Sequence, residues 1–113
     1  MKTDRELLGA AAQAAGYSID ARNQAMRDSH GFRQAGLYLV GGSPSWNPLT
    51  NDGDALRLVV KLRIEIEPWI HGDSACARAA VGEILIDEPH YGDDPGRATR
   101  RAIVRAAAEM VSK

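Results

Sequence analysis

The sequence predicts an α+β fold: a single small layered domain in which three helices pack on an antiparallel sheet. Two observations carry this prediction. Apolar residues recur at helical spacing near the start, in the middle and near the end of the 113-residue chain, and a strictly alternating stretch follows the middle helix. The resulting order of helix, strands, helix, strands and helix is typical of layered α+β domains.

The first predicted helix covers about residues 4–15. Thr3 and Glu6 stand at the spacing of a capping box, in which each side chain accepts a hydrogen bond from a backbone N–H at the helix start. Apolar residues then recur at helical spacing from Leu7 onward, and Gly16 can adopt the left-handed conformation that ends a helix.

The next part of the chain is less regular. Residues 17–19 suggest a short strand, whereas residues 20–31 are polar and lack a clean period, so that no element is predicted there. The apolar run 37–40 lies between glycines and predicts a strand, and residues 41–50 predict a loop because glycine, serine and proline dominate them.

The second predicted helix covers about residues 52–62. Asp52 is expected to cap it, and Asp54 places negative charge in the first turn, where the helix dipole favours it. Asp54, Arg57 and Lys61 are expected to share the polar face. The expected apolar face consists of Ala55, Leu56, Val59, Val60 and Leu62.

Three strands and a last helix follow. Residues 63–67 alternate so that Ile64 and Ile66 face inward, residues 75–81 return after a turn, and residues 83–87 form a third strand beyond Gly82. After a loop at 88–96, the helix at about 97–111 is expected to bury four apolar residues. They are Ile103, Ala106, Ala107 and Met110.

Charge and residue usage exclude several classes of protein. The 14 Lys and Arg against 15 Asp and Glu give a net charge of −1, which argues against a general nucleic-acid binder. The three histidines lack metal-ligand spacing, and the single cysteine, Cys76, has no partner for a disulfide and is expected in the core. No metal, cofactor or catalytic set is therefore predicted.

The chain also lacks the marks of a membrane or exported protein. No stretch approaches the ~20 apolar residues of a membrane span, and charged residues interrupt the start of the chain, so a cytoplasmic location is expected. Alanine-rich helices and few aromatic residues imply a thin core. A homo-oligomer is expected for this reason.

Two charged groups have both a structural and a functional interpretation. The acidic loop from Asp87 to Asp94 includes His90 and Tyr91 and could perform acid–base work as a small hydrolase, or could simply be solvated. Arg97, Arg101 and Arg105 are spaced four apart, which suits either an anion-binding stripe or a solvated helix face.

The most distinctive segment is residues 46–58, with the sequence WNPLTNDGDALRL. In a structural interpretation, Trp46 and Leu49 anchor the loop on the core while Asn47 or Asp52 holds the turn. In a functional interpretation, Trp46 stacks on a ligand and backbone N–H groups at residues 53–55 bind an anion at the helix start.

This segment, the VVKL that follows it at 59–62 and the RRAIVRAAAE at 100–109 resemble a family of short bacteriophage and prophage proteins, described as a phage α-β-α sandwich domain. Residues 1–16 are similar to it as well, whereas residues 20–32 and 69–81 fall outside the resemblance. The resemblance implies a small accessory protein of a phage, made in the host bacterial cytoplasm.

Phage proteins of this size often counter host defence, so the resemblance implies a non-enzymatic protein that sequesters a nucleotide-derived immune signal. A protein–protein inhibitor or adaptor acting on a host or defence protein is the alternative. The residues predicted to bind the ligand are an aromatic residue, two polar residues of the distinctive segment and three arginines. They are Trp46, Asn47, Asp54, Arg57, Arg97 and Arg101.

Overall fold

The structure, a computed structural model, describes residues 2–30, 36–42, 45–71, 74–89 and 94–111. Within these ranges the chain forms a small α+β domain with four helices and a three-stranded antiparallel sheet of order β1-β2-β3. The elements are α1 (Asp4–Ala14), α2 (Ala21–Ser29), α3 (Asp52–Leu62), β1 (Glu65–His71), β2 (Ser74–Val81), β3 (Ile84–Glu88) and α4 (Pro95–Val111). The predicted fold class is confirmed, with one helix more than expected.

The long helix α4 lies at the centre of the core. It packs against α1 and α3 and covers the sheet mainly over β2 and β3. Alanines fill the contact between helix and sheet: Ala102 and Ala106 of α4 are fully buried, as are Ala77 and Ala79 of β2. Such small side chains let the two layers approach closely, so that little space remains for larger residues.

The start of α1 is as predicted. Thr3 Oγ1 accepts from the Glu6 N–H (3.2 Å) and Glu6 Oε1 accepts from the Thr3 N–H (3.0 Å), which completes the capping box. Gly16 has a φ of 77° directly after the helix, in the left-handed region expected of it. The local signals at both ends therefore determine the helix.

Helix α2 corrects the prediction of three helices, since residues 20–31 were expected to be irregular. Asp20 caps it by accepting from the Asn23 N–H (3.1 Å), and Asp28 pairs with Arg5 of α1. The buried Gln24 accepts from the Tyr38 N–H (2.6 Å). These polar contacts hold the helix in place of an apolar stripe, which is why hydrophobic periodicity does not reveal it.

The strands predicted at 17–19 and 37–40 are reduced to isolated bridges. Leu39 pairs with Ile19, and Leu37 pairs with Trp46. Each bridge joins the middle segment to a different neighbour, so no continuous ladder forms, although Leu37 and Leu39 are both buried. The predicted loop at 41–50 includes residues 43 and 44, which lie outside the described residues.

Helix α3 has the predicted bounds but a different cap, and its buried face matches the prediction in part, since Ala55 is buried and Val59 and Leu62 pack against the core. Asn51, not Asp52, is the cap: its Oδ1 accepts from the Asp54 N–H (2.9 Å). Leu58 is fully buried, whereas Leu56 and Val60 of the predicted apolar face are 59% and 70% exposed. The predicted polar face is wrong for Asp54, which is buried. The Asp54 carboxylate accepts hydrogen bonds from the Asn47 N–H and from Arg57, which holds this side of the helix toward the core.

The sheet keeps the predicted alternation but not the predicted bounds of its first strand: β1 begins at Glu65, not at residue 63, and continues past Pro68 to His71. Ile64 is buried, but Ile66 is 40% exposed because β1 is an edge strand that α4 barely covers. Gly82 turns the chain between β2 and β3 with a φ of 58°. In α4 three of the four expected residues are buried, and Met110 is only half-buried.

The face of the sheet opposite α4 carries charged residues. Arg78 Nε donates to Asp87 Oδ1 across β2 and β3 (2.6 Å), and the Arg78 guanidinium lies 5.9 Å from the ring of Trp69. Cys76 lies on the same strand and is half-buried, so it is not the core residue that was predicted. This face is open and mixed in character, since the exposed Leu85 and Trp69 lie among the charged residues.

Three carboxylates near the surface make the fold sensitive to acid. The hydrogen bond from Arg78 holds the pKa of Asp87 below its usual range, the hydrogen bond from Arg5 does so for the pKa of Asp28, and the Thr3 backbone N–H and hydroxyl lower the pKa of Glu6. Because each folded-state pKa lies below the unfolded value, the stabilisation is present above about pH 4 and is lost as the pH falls further.

We therefore expect the melting temperature to fall as the pH decreases below about 4. In the Arg78→Gln variant this fall should be smaller, because Asp87 no longer has a depressed pKa to lose. Thermal melts followed by circular dichroism across this range measure the difference. Parallel curves for the two proteins would show that the Arg78–Asp87 pair contributes nothing to the acid response.

Candidate functional site

A cleft of about 940 Å³ lies beside the start of α3. Four stretches of the chain meet around it: the turn after α1, the segment that follows Leu37, the Trp46 turn and the first two turns of α3. Its described lining consists of Gly16, Tyr17, Ser18, Leu39, Val40, Gly41, Gly42, Ser45, Trp46, Asn51, Asp54 and Arg57. The cleft therefore contains three of the six residues predicted to bind a ligand.

Trp46 forms the inner wall of this cleft. It is only 3% exposed, exchanges two backbone hydrogen bonds with Leu37 (2.8 and 2.9 Å) and meets the ring of Tyr17 edge to face, with centroids 5.7 Å apart. Leu49 is buried beside it in the core cluster. The structural interpretation of Trp46 is thus the one that its burial supports, and the half-buried Tyr17 is the aromatic ring nearer to solvent.

Asn47 holds the turn between Trp46 and α3. Its Oδ1 accepts from the Leu49 N–H (3.0 Å), and its own N–H donates to Asp54 Oδ2 (3.0 Å). Asn47 is buried and is not among the described residues that line the cleft. Its amide oxygen holds the backbone of the turn. This structural role is the one that the sequence offered as the alternative to ligand binding.

Asp54 links the turn to the mouth of the cleft. Its second oxygen, Oδ1, accepts from Arg57 Nη1 (3.0 Å), and the Arg57 side chain remains 68% exposed. One turn further along α3, Lys61 Nζ lies 4.8 Å from the centre of the Tyr17 ring. Two cations therefore stand along one stripe of α3 beside the aromatic pair.

The start of α3 offers fewer free donors than was predicted. The Asp54 N–H donates to Asn51 Oδ1 (2.9 Å) and the Ala55 N–H donates to the Asn51 carbonyl (3.0 Å). Two of the three backbone groups expected to bind an anion are thus already satisfied by the Asn51 cap. Positive charge at the cleft comes from side chains.

The C-terminal arginines predicted to join this site lie elsewhere. Arg101 pairs with Asp4 (2.8 Å) and lies 3.6 Å from the buried Glu88, and it lines a second cavity of about 560 Å³. Arg105 also pairs with Glu88. Arg97 is exposed and is not among the described residues that line the Trp46 cleft. The structure therefore does not bring Arg97 or Arg101 to the cleft.

Arg100 is the residue of this group that sequence reasoning missed. Its Nε donates to the Leu49 carbonyl (2.8 Å) and its Nη1 donates to Asp52 (2.8 Å), so that it ties the Trp46 turn and the start of α3 to α4. The four-residue spacing of Arg97, Arg101 and Arg105 singled out those three arginines and left Arg100 out. No local signal marks a contact between residues 51 positions apart in the sequence.

The acidic loop is partly engaged in structural contacts. Asp87 pairs with Arg78, Glu88 with the α4 arginines, and Asp94 accepts from the Arg97 N–H (3.0 Å). His90 and Tyr91 lie outside the described residues. Among residues that the structure does describe, no group of three histidine, cysteine or acidic side chains is placed to hold a metal ion, and no helix has the length and apolar character to span a membrane.

Compared with protein-family models, curated proteins and solved structures, the chain matches none of them. The resemblance to the phage family stays a prediction.

Proposed function

We propose that this protein binds a small nucleotide-derived anion in the Trp46 cleft and sequesters it without chemical change. The observation that carries the proposal is the juxtaposition of the Tyr17–Trp46 pair with Arg57 in the lining of a single cleft, with Lys61 against the Tyr17 ring just outside the described lining. A nucleotide presents an aromatic base and a charged phosphate, and this site offers an aromatic surface beside two cations.

The dimensions and lining of the cleft suit such a ligand. Its volume of about 940 Å³ falls within the range of about 300–1,000 Å³ common for small-molecule sites. The polar groups at its mouth, including Ser18 and Ser45, can donate to sugar or phosphate oxygens. Tyr17 provides the aromatic contact first considered for Trp46, because its ring is the less buried of the two. Since the Lys61 ammonium lies over this ring, a base would meet the part of the ring that Lys61 leaves open.

Binding without turnover follows from the way in which the acid in the cleft is used. Asp54 is buried, and its two carboxylate oxygens accept from the Asn47 N–H and from Arg57. A carboxylate that is held in this manner orients the guanidinium and has little capacity left to act as a base toward a ligand. Its charge also offsets part of that of Arg57, so Lys61 is needed to attract a multiply charged anion.

The cellular role in this proposal comes from the resemblance of residues 46–62 and 100–109 to short phage proteins. A phage accessory protein that binds a nucleotide immune signal would lower its free concentration in the infected bacterium. The protein would then act as an anti-defence sponge. A small binding domain needs no catalytic set for this task, only an affinity that matches the concentration of the signal.

We expect calorimetry against a panel of cyclic nucleotides and cyclised ADP-ribose derivatives to identify a ligand with a Kd of about 10 μM or tighter, about −7 kcal/mol. The Arg57→Gln variant should weaken that binding by about tenfold or more, since a hydrogen bond to a charged group contributes about 1.5–3 kcal/mol. Glutamine can still donate to Asp54, so the fold should be preserved.

Arg97→Gln is the matched control. It removes an exposed arginine that was predicted as a ligand residue but lies outside the described lining of the cleft. Binding that is lost in this variant and kept in Arg57→Gln would place the site elsewhere. If no member of the panel binds, the sequestration proposal fails and inhibition of a host or defence protein by direct contact takes its place.

A further inference from the structure

Helix α3 presents a second surface, which faces away from the cleft. Leu56 and Val60, one turn apart, form an apolar ridge that is 59% and 70% exposed. Beside this ridge runs a groove of about 460 Å³, whose apolar lining includes Val59 of α3, Ile66 and Pro68 of β1, and Ile103 of α4. Exposed aliphatic side chains next to an apolar groove mark a contact surface.

The groove exists because the helical layer does not cover the whole sheet. Helix α4 covers β2 and β3 and contacts β1 only weakly, and α3 packs on α4. The edge strand β1 therefore keeps part of its helix-facing side open, which also explains the exposure of Ile66. The apolar surface of α3 thus continues from the ridge onto the edge of the sheet.

Charges are arranged with opposite sign at the two ends of α3. Asp52 begins the helix with a side chain that is 86% exposed, and Arg63 follows its last residue in an exposed position. Leu56 and Val60 lie between them, so the exposed stripe reads acid, leucine, valine and base. The helix dipole has the reverse polarity, with its positive end at Asp52.

This stripe is complementary to itself when two copies of α3 run antiparallel. A twofold axis that passes between the two helices at the level of Leu58 sets Leu56 of one protomer against Val60 of its partner and places Asp52 opposite the partner's Arg63. The two ridges then pack against each other through the same residues on both sides, which is the condition for a closed isologous interface.

We propose that this surface binds a second copy of the chain, forming a twofold dimer across antiparallel α3 helices. Arg57 and Lys61 occupy a neighbouring stripe of α3, about 100° around the helix from the ridge, so the dimer leaves the Trp46 cleft open. The dimer is independent of the ligand-binding proposal.

Light scattering of the unmodified protein at tens of micromolar should give twice the 12.2 kDa chain mass. Leu56→Glu and Val60→Glu should each return the mass to that of one chain, while circular dichroism shows an unchanged helix content. A wild type that has the mass of one chain overturns the proposal and leaves the face to a different protein. A dimer that survives both substitutions also overturns it.

A charge exchange tests the antiparallel arrangement. Asp52→Lys alone and Arg63→Asp alone each oppose like charges across the twofold axis, so both variants should dissociate at concentrations at which the wild type is dimeric. Because Asp52 also pairs with Arg100 of its own chain, Asp52→Asn is the control: it loses that pair without adding a like charge and should dissociate less than Asp52→Lys. An equimolar mixture should recover the dimer mass, because the mixed dimer restores both ion pairs. If mixing does not increase the mass above that of the separate variants, the antiparallel register is wrong.

Discussion

Replacement of Trp46 by alanine is expected to lower the free energy of unfolding by about 3–5 kcal/mol. The indole is almost completely buried, packs edge to face on Tyr17 and lies in the backbone bridge to Leu37. Truncation leaves a cavity beneath the turn that leads to α3. Urea denaturation followed by circular dichroism, with linear extrapolation to water, gives the value.

The other tryptophan provides the matched control. Trp69 lies on the open face of the sheet and is 38% exposed, with Arg78 near its ring. We expect Trp69→Ala to destabilise the protein much less than Trp46→Ala. Equal losses would contradict the assignment of Trp46 to the core. An unchanged midpoint for Trp46→Ala with lost ligand binding would restore its role as a stacking platform.

Replacement of Leu58 by alanine is expected to cost about 2–5 kcal/mol, as does truncation of other fully buried leucines. Leu56→Ala on the same helix should change stability by no more than about 0.5 kcal/mol when it is measured at high dilution, where the dimer does not contribute. Both variants replace a leucine with alanine, but Leu58 faces the core and Leu56 faces solvent. Denaturation midpoints in the reverse order would show that α3 buries the face predicted from the sequence.

Local signals account for the parts of the fold that the sequence predicts. The Thr3–Glu6 capping box, the alternation at residues 63–67 and the turn at Gly82 each act within a few residues, and the structure places an element boundary or a strand at each of them. Helix α2 escaped prediction because its support comes from polar contacts to α1 and to Tyr38.

The rotation of α3 shows why periodicity alone is insufficient. Leu56, Val59 and Val60 form as good an apolar stripe as Ala55, Leu58 and Leu62, so the pattern leaves the buried face ambiguous. The choice is made by the Asn51 cap and by the contact of Asp54 with the Asn47 N–H. A buried carboxylate that accepts from a backbone N–H seven positions away has no signature in the hydrophobic pattern.

The candidate site was predictable only in part, because contacts between distant segments leave no mark in the local sequence. The unusual composition of the segment at 46–58 marked it as a candidate, and this segment supplies one wall of the cleft. The opposite wall, around Tyr17 and Val40, comes from segments that the isolated bridges bring together. Sequence spacing carried no information on the bridges that join these segments. It also led to the assignment of Arg97 and Arg101 to the cleft, whose described lining does not include them.

The central position of α4 has a consequence for how the chain acquires its structure. The other helices and the sheet have few partners apart from α4, and the Trp46 turn depends on Arg100 for one of its anchors. During synthesis, residues 2–89 must therefore wait for α4 before either layer can bury its apolar face. Contacts between distant parts of the chain slow such a search. We therefore expect the cleft to form late, together with the core.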